Sequence, residues 1–233
     1  MNHEAARINI AIDGPAGAGK STVARMVARD LAYIYVDTGA MYRAVTLKAI
    51  EAGLSMDDDV SVGKLARELD IVLLPGKEAQ LVLVNGQDVS PLLRTLDINR
   101  NVSYIARLVS VRKQMADLQR RMAMAKGVVM DGRDIGTHVL PDAELKVFLT
   151  ATPRERATRR YRELGDNPGI TLDQLEREIA ERDRLDQERE IAPLLRAQDA
   201  RLIDSTGRSI DEVAEEIVQW GLAIARTISM EEK

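Results

Sequence analysis

Gly14-Pro15-Ala16-Gly17-Ala18-Gly19-Lys20-Ser21, followed by Thr22, is a run almost without side-chain bulk that ends in an amine and two hydroxyls. It fits the pattern G-x-x-x-x-G-K-[ST]. Glycines let successive backbone N–H groups turn inward around phosphate oxygens, and a helix opening at Lys20 adds the partial positive charge of its N-terminus. A lysine at this place reaches the β and γ oxygens of a nucleoside triphosphate, and the Ser21 hydroxyl suits Mg2+. An ordinary Gly-rich turn matches the pattern by chance, but here a strand pattern precedes it and a helix pattern follows. Thr22 either adds a phosphate contact or extends the helix.

Three further clusters hold charge. "VDTGAMYRA" (36–44) places Thr38 and Arg43 just after an apolar run. Tyr42 is read as packing and Arg43 as functional. "MDGRDIGTHV" (130–139) places Asp131 at the end of an apolar run, with Arg133 and Asp134 in a Gly-bounded turn. His138 is read as structural, because in-line transfer to a phosphate oxygen needs little help from a base. "EIAERDRLDQEREIAPL" (178–194) spaces Arg182, Asp186 and Arg189 at i, i+4 and i+7, one face of a helix. From spacing alone a solvated, salt-bridged face is the slightly preferred reading of that cluster. Moving a phosphoryl group between two anionic substrates requires positive charge on both and between them.

These residues need elements to hold them. Ile8–Ile12, Tyr33–Val36, Val128–Met130, Leu145–Leu149 and Leu202–Ile203 are short apolar runs separated by helical patterns, which predicts a parallel sheet covered on both faces. Ligands of such sheets bind at the carboxyl ends of the strands, where Asp13, Asp37, Asp131 and Asp204 fall, though each is also a possible turn former or cap. Helices are predicted over 20–31, 38–52 with Thr38 as N-cap, and 171–190. From about Val62 to Leu96 the pattern turns to strands. "IVLL" and "QLVLV" are joined across a Pro-Gly turn, and "NG" (85–86) leads into "QDVS", predicting a small antiparallel insert. "ATPRERATRRYRELGDNP" (151–168) is arginine-rich and reads as a mobile flap. Its "DNPG" matches a bare D-x-x-G only as a loop.

Composition removes several classes of function. The chain has 233 residues, 45% apolar and 30% charged, a soluble globular balance. Aromatics are 3% and net charge is −4, which argues against nucleic-acid binding by stacking or by a basic field. No cysteine is present, and the two histidines are far apart, so thiolate and imidazole metal clusters are not expected. No run reaches a membrane span and the first residues lack a signal-peptide core, so a soluble cytoplasmic protein is expected. No apolar stripe or heptad stands out, and a monomer is expected. N-K-x-D, the usual guanine-reading loop, does not occur.

Taken together, "IDGPAGAGKST", "YVDTGAMYRA", "VNGQDVSPLLRT", "VMDGRDIGTHVLPDA", "ERATRR", "RDRLDQEREIAPL" and "IDST" resemble the bacterial cytidylate kinases, in family order over nearly the whole chain. "DGRDIGT" and the "NGxDV" hairpin are the specific parts; the Gly-rich loop is generic. The resemblance implies an α/β fold, a doubly wound parallel five-stranded sheet of the P-loop type with a small antiparallel β insert and an Arg-rich lid. It would form a single kinase domain: a core of about 1–60, 104–150 and 170–233, an insert at about 62–100 that helps bind the monophosphate, and a lid at about 151–168. It implies the reaction ATP + CMP ⇌ ADP + CDP, with dCMP also accepted and Mg2+ required, by direct in-line transfer.

By the same resemblance, Gly14 to Thr22 hold ATP, with Ser21 on Mg2+. Lys20, Arg133 and Arg159 are catalytic, and Arg156 and Arg160 close with Arg159 over the phosphates. Arg43, Arg133 and Arg189 hold the CMP phosphate, Arg182 and Asp186 meet the ribose, and Thr38 and Asp131 complete the CMP site. Ser103, Arg112 and Asp134 read cytosine. Its exocyclic amine suits a carboxylate, and its N3 and O2 suit an arginine and a hydroxyl. Thr38 stands where related chains often have Ser and keeps the hydroxyl. Two alternatives stay open: a kinase for another monophosphate such as UMP or AMP, and a nucleotide-binding switch without an acceptor.

Overall fold

The computed structural model describes residues 6–76, 80–165 and 169–231. In chain order the elements are β1 (Asn9–Asp13), α1 (Lys20–Asp30), β2 (Ile34–Asp37), α2 (Thr38–Glu51), α3 (Asp59–Glu68), β3 (Ile71–Leu74), β4 (Leu81–Val84), β5 (Gln87–Asp88), α4 (Leu96–Ile105), α5 (Val109–Ala123), β6 (Val128–Gly132), β7 (Leu145–Thr150), α6 (Pro153–Glu163), α7 (Leu172–Gln187), β8 (Arg201–Asp204) and α8 (Ile210–Glu231). A five-stranded sheet runs β2-β6-β1-β7-β8, and β3-β4-β5 form a separate three-stranded sheet. β1 pairs in parallel with β6 and β7, and β7 with β8. The parallel α/β sheet and the antiparallel insert expected from the pattern are both present.

The chain divides into two compact units, Met1–Ile34 with Ala125–Lys233, and Tyr35–Met124. In the first, all five residues of β1 are buried, as an unbroken apolar strand at the centre of a sheet must be. Ile8, Ile10, Ile12, Met130, Leu145 and Leu149 are wholly enclosed. Each such side chain contributes roughly 1.5–3 kcal/mol by leaving water. Gly221 of α8 lets that helix approach closely: a Cβ there would lie 3.3 Å from Leu31 and 3.4 Å from Ile10.

In the second unit the insert is antiparallel, with Ile71 opposite Val84 and Val84 opposite Gln87. Asn85 and Gly86 turn the chain at φ 51° and 79°, the left-handed pair that a tight two-residue hairpin demands. The Pro75-Gly76 turn runs into residues 77–79, which lie outside the described residues, as do 166–168 of the expected flap.

Several boundaries differ from expectation. Residues 62–68 do not begin a strand; they finish α3, which Asp58 caps by accepting from the Val60 and Ser61 amides. Val62 and Ala66, four apart, supply its buried face. Asp37, not Thr38, caps α2: its Oδ1 accepts from Ala40 N at 2.8 Å, and Thr38 is the first helical residue. The arginine-rich stretch forms a regular helix over Pro153–Glu163, whose Ala157 packs with Leu175 and Ile179 of α7. Arg189 lies beyond the end of α7 and therefore does not share a helix face with Arg182 and Asp186. Among the described residues no helix is long and apolar enough to cross a membrane.

Candidate active site

The first unit gathers most of the charged candidates. Gly14, with φ 149°, follows β1 where a Cβ would sit 1.9 Å from the Leu149 carbonyl oxygen, so no other residue fits. Gly19, at φ 89°, occupies the N-cap of α1 in left-handed geometry and brings the loop into the helix. Lys20 is buried, and its Nζ donates to the Pro15 carbonyl at 2.8 Å, folding the lysine back over the loop. Ser21 Oγ donates to Asp131 Oδ2 at 2.8 Å. Asp131, expected with the CMP site, is thus bonded to the serine of the phosphate loop.

Lys20 stands in a crowd of charge. Burial lowers its pKa well below the usual lysine range, and the guanidinium groups of Arg133 and Arg182 lower it further, while Asp131 and Asp13 oppose them. A cation so placed has much to gain from an arriving polyanion. Asp13, at the end of β1, is pushed up to about 7, chiefly by burial and secondarily by Asp134, against the pull of the Ile135 and Gly136 amides and of Lys20.

Arg133, Asp186, Arg182 and Arg189 form the second cluster. Arg133 Nε donates to Asp186 Oδ2 at 2.8 Å. Burial works against the Arg133 charge, yet Asp186, Asp131 and Asp183 hold its pKa above the usual value. Burial would also raise Asp186, but Arg133, Arg189 and Arg182 outweigh it and hold the carboxyl below its ordinary range. Asp186 and Arg189 are both buried, which overturns the solvated-face reading of this segment. Arg189 Nε donates to the Asp186 carbonyl at 3.2 Å, so it joins the cluster from the turn after α7.

The three arginines of α6 divide. Arg156 is buried, and its guanidinium bonds the carbonyls of Ala16 (2.9 Å) and Ala151 (3.0 Å) and the Asp183 carboxylate (2.6 Å). Asp183 Oδ1 in turn accepts from Ala16 N at 3.3 Å. Ala16 of the phosphate loop is therefore gripped at both its N–H and its C=O, on two successive peptide groups. Arg159 reaches Ala18 O at 3.4 Å and is fixed by Ser205, through Oγ at 3.0 Å and the carbonyl at 2.7 Å. Arg160 pairs with Glu163 on the helix surface at 2.9 Å and is not brought to the loop. Asp204 accepts from Thr206 N at 2.9 Å, so among the strand-end carboxylates it is the turn former.

The second unit holds Thr38, Arg43, Ser103 and Arg112. Arg43 lies along the first turn of α2, and a Cβ on Gly39 would come within 2.9 Å of its Nη1. Arg112, on α5, is buried; its Nη1 donates to Ala106 O at 3.0 Å and its guanidinium stacks 5.8 Å from the centre of the Tyr42 ring. Tyr42 thus packs, as expected, and does so against a candidate site residue. Ser103 is half-buried on α4. Sequence reasoning missed Asp183, Ser205 and Gly39. Asp183 and Ser205 are visible only as a charged and a small residue near a motif, since their partners include backbone atoms, and Gly39 only as a glycine close to the side chains of Arg43 and Asp37.

The family profile "Cytidylate kinase" matches residues 10–221. A protein named cytidylate kinase from Bacillus cereus (strain G9842) is 50% identical over 213 residues, covering 91% of this chain and 95% of the relative. Another of the same name from Bacillus thuringiensis (strain Al Hakam) is 50% identical over 214 residues, with the same coverage. Among solved structures, a gluconokinase from Sinorhizobium meliloti 1021 superposes with a TM-score of 0.50 at 16% identity, over 99% of this chain and all of that one, a likeness of fold alone. With a family profile over most of its length and relatives at half identity, the chain belongs to the cytidylate kinase family.

Proposed function

We propose that the protein transfers the γ-phosphoryl group of ATP to CMP or dCMP, giving ADP and CDP or dCDP. The reading rests on family membership and, within the molecule, on one observation above all: Arg133 and Arg182 bear electrostatically on the buried Lys20 of a phosphate loop. Such a concentration of cations suits two phosphate groups that exchange a third. The CMP phosphate oxygen attacks the γ-phosphorus in line, with no phosphoenzyme, and the protein supplies positioning and charge.

Gly14 to Thr22 bind the ATP phosphates, and Lys20 swings from the Pro15 carbonyl to the transferring group. Arg159, already at the Ala18 carbonyl, serves the transition state from α6; Arg156 braces the loop, and Arg160 takes part on closure. Arg43, Arg133 and Arg189 hold the CMP phosphate, Arg182 and Asp186 meet its ribose, and Thr38 also binds CMP. Ser103, Arg112 and Asp134 read the base.

Mg2+ fits this site. Ser21 and Asp131 offer two hard oxygens joined by a 2.8 Å hydrogen bond, and among the described residues no three His, Cys, Asp or Glu cluster to hold a metal alone. That suits an ion that keeps most of its ligands from phosphate and water and arrives with the nucleotide. Ser21 would ligate it with Asp131 behind, and the ion would neutralise charge on the β and γ oxygens. The protein is read as a cytoplasmic monomer with small-molecule partners only.

The test is Asp134→Ala assayed with CMP and UMP. Uracil carries a carbonyl where cytosine has its amine, so a buried carboxylate opposite that position rejects it. The wild type is expected to favour CMP in kcat/KM by at least about tenfold, and the variant to lose most of that preference. A variant that keeps it removes Asp134 from base reading.

A further inference from the structure

Asp134 sits at the N-cap of a one-turn π-helical segment, Ile135–Val139, that follows the Gly132-Arg133-Asp134 turn. An aspartate at that position commonly accepts from the first amides of its own helix. Asp134 makes no such capping bond. The amides go instead to a carboxylate 122 residues away: Ile135 N donates to Asp13 Oδ1 at 2.8 Å and Gly136 N to Asp13 Oδ2 at 2.7 Å. Both oxygens of Asp13 are used, each on one amide, and Asp13 is itself buried at the end of β1. The seat is close-fitting. A Cβ on Gly136 would lie 3.4 Å from Asp13 Oδ2 and 3.2 Å from the stem of Lys146, whose amine is tied to Asp199 at 2.8 Å.

We infer that Asp13 is a positioning residue for acceptor recognition: by capping the Ile135 and Gly136 amides from β1 it fixes the turn bearing Arg133 and Asp134, and leaves the Asp134 carboxylate out of that capping. The inference rests on the proposed base-reading role of Asp134. Asp13 is the residue immediately before the phosphate loop, so one strand end orients both the donor loop and the acceptor turn. The two short amide bonds favour the ionised carboxylate and so oppose the burial that pushes its pKa up.

The test compares Asp13→Asn, Gly136→Ala, Asp134→Ala and the double variant Asp13→Asn/Asp134→Ala, each with CMP and UMP and at varied ATP. Asn keeps one acceptor oxygen and turns an NH2 toward the other amide, so the turn shifts while the fold stays. The expected result for Asp13→Asn is a fall of roughly tenfold or more in the CMP-over-UMP ratio of kcat/KM, arising mainly from KM for CMP, with KM for ATP within about threefold. Gly136→Ala, which leaves the carboxylate chemistry intact and crowds its seat, should fall in the same direction, and it decides the matter if Asp13→Asn does not fold. The double variant should discriminate no worse than Asp134→Ala alone, because both act on one recognition step. An unchanged ratio in the folded variants, or equal losses toward CMP, UMP and ATP, overturns the inference. If Asp134→Ala keeps its preference, the base-reading assignment fails and takes this inference with it; if Asp134→Ala loses its preference and Asp13→Asn keeps it, only the positioning role fails.

Discussion

Lys20→Met is expected to lower kcat by at least about 1000-fold, some 4 kcal/mol of transition-state stabilisation, while the melting temperature stays at or above that of the wild type. The two halves of the expectation have one cause. Lys20 is buried in the free protein, and burial together with Arg133 and Arg182 pushes its pKa down, so its charge is unwelcome until phosphate arrives. With its folded pKa below the unfolded value, Lys20 reduces stability at pH below the ordinary lysine value, and that burden lifts as pH rises from the folded pKa toward it. Methionine fills nearly the same volume and brings no charge. It forfeits one hydrogen bond to Pro15 and removes a cation that Arg133 and Arg182 repel. Steady-state kinetics beside thermal unfolding at pH 7 checks both. A variant that loses activity only because it melts early would contradict the assignment of Lys20 to catalysis.

Asp186→Asn should do the reverse and damage stability as much as activity. Asp186 is the buried carboxylate that Arg133, Arg189 and Arg182 face together. An amide oxygen can still accept from Arg133 Nε, so the geometry is nearly retained while the charge disappears. Breaking a buried ion pair by removing one partner costs roughly 3–5 kcal/mol, and kcat/KM for CMP should fall at least about a hundredfold as the arginines part. The pH dependence has a definite sign. The folded pKa of Asp186 lies below the unfolded value, so its contribution is full above the ordinary carboxylate range and is lost as pH falls through the folded pKa. The stability gap between wild type and variant should be constant near neutrality and shrink below about pH 4. Urea unfolding of both proteins at pH 7 and at about pH 3.5 measures it. A gap that widens in acid would show that Asp186 is not held ionised by its arginines.

The parts of this molecule that were legible in its sequence are those whose signal is local. The phosphate loop announces itself because backbone cradling needs a contiguous run of small residues. The apolar strands show because a strand buried on both faces must be apolar along its length, and the Asn85-Gly86 hairpin because few residues tolerate two left-handed turns in succession. Helix α3 was hidden by its neighbours: its Val62 and Ala66 lie next to true strands, and the stronger cue was Asp58 at its start. Arg189 was assigned to a helix face because spacing cannot reveal that α7 stops two residues earlier. Asp183 and Ser205 escaped notice for a different reason. Their partners include the Ala16 amide and the Thr150 carbonyl, which have no identity in a sequence. Arg156 is expected over phosphates from the family resemblance, and in the structure three oxygens of the protein itself engage it, which a sequence does not show.

The central claim is that the acceptor is a cytidine monophosphate, and the most direct measurement is ADP production by the wild-type protein from ATP and Mg2+, with CMP, with UMP and with no acceptor. ADP formation should depend on CMP and run at least about tenfold faster with it than with UMP, with little ADP when no acceptor is present. ADP release indifferent to CMP, or equal rates with CMP and UMP, would contradict the account.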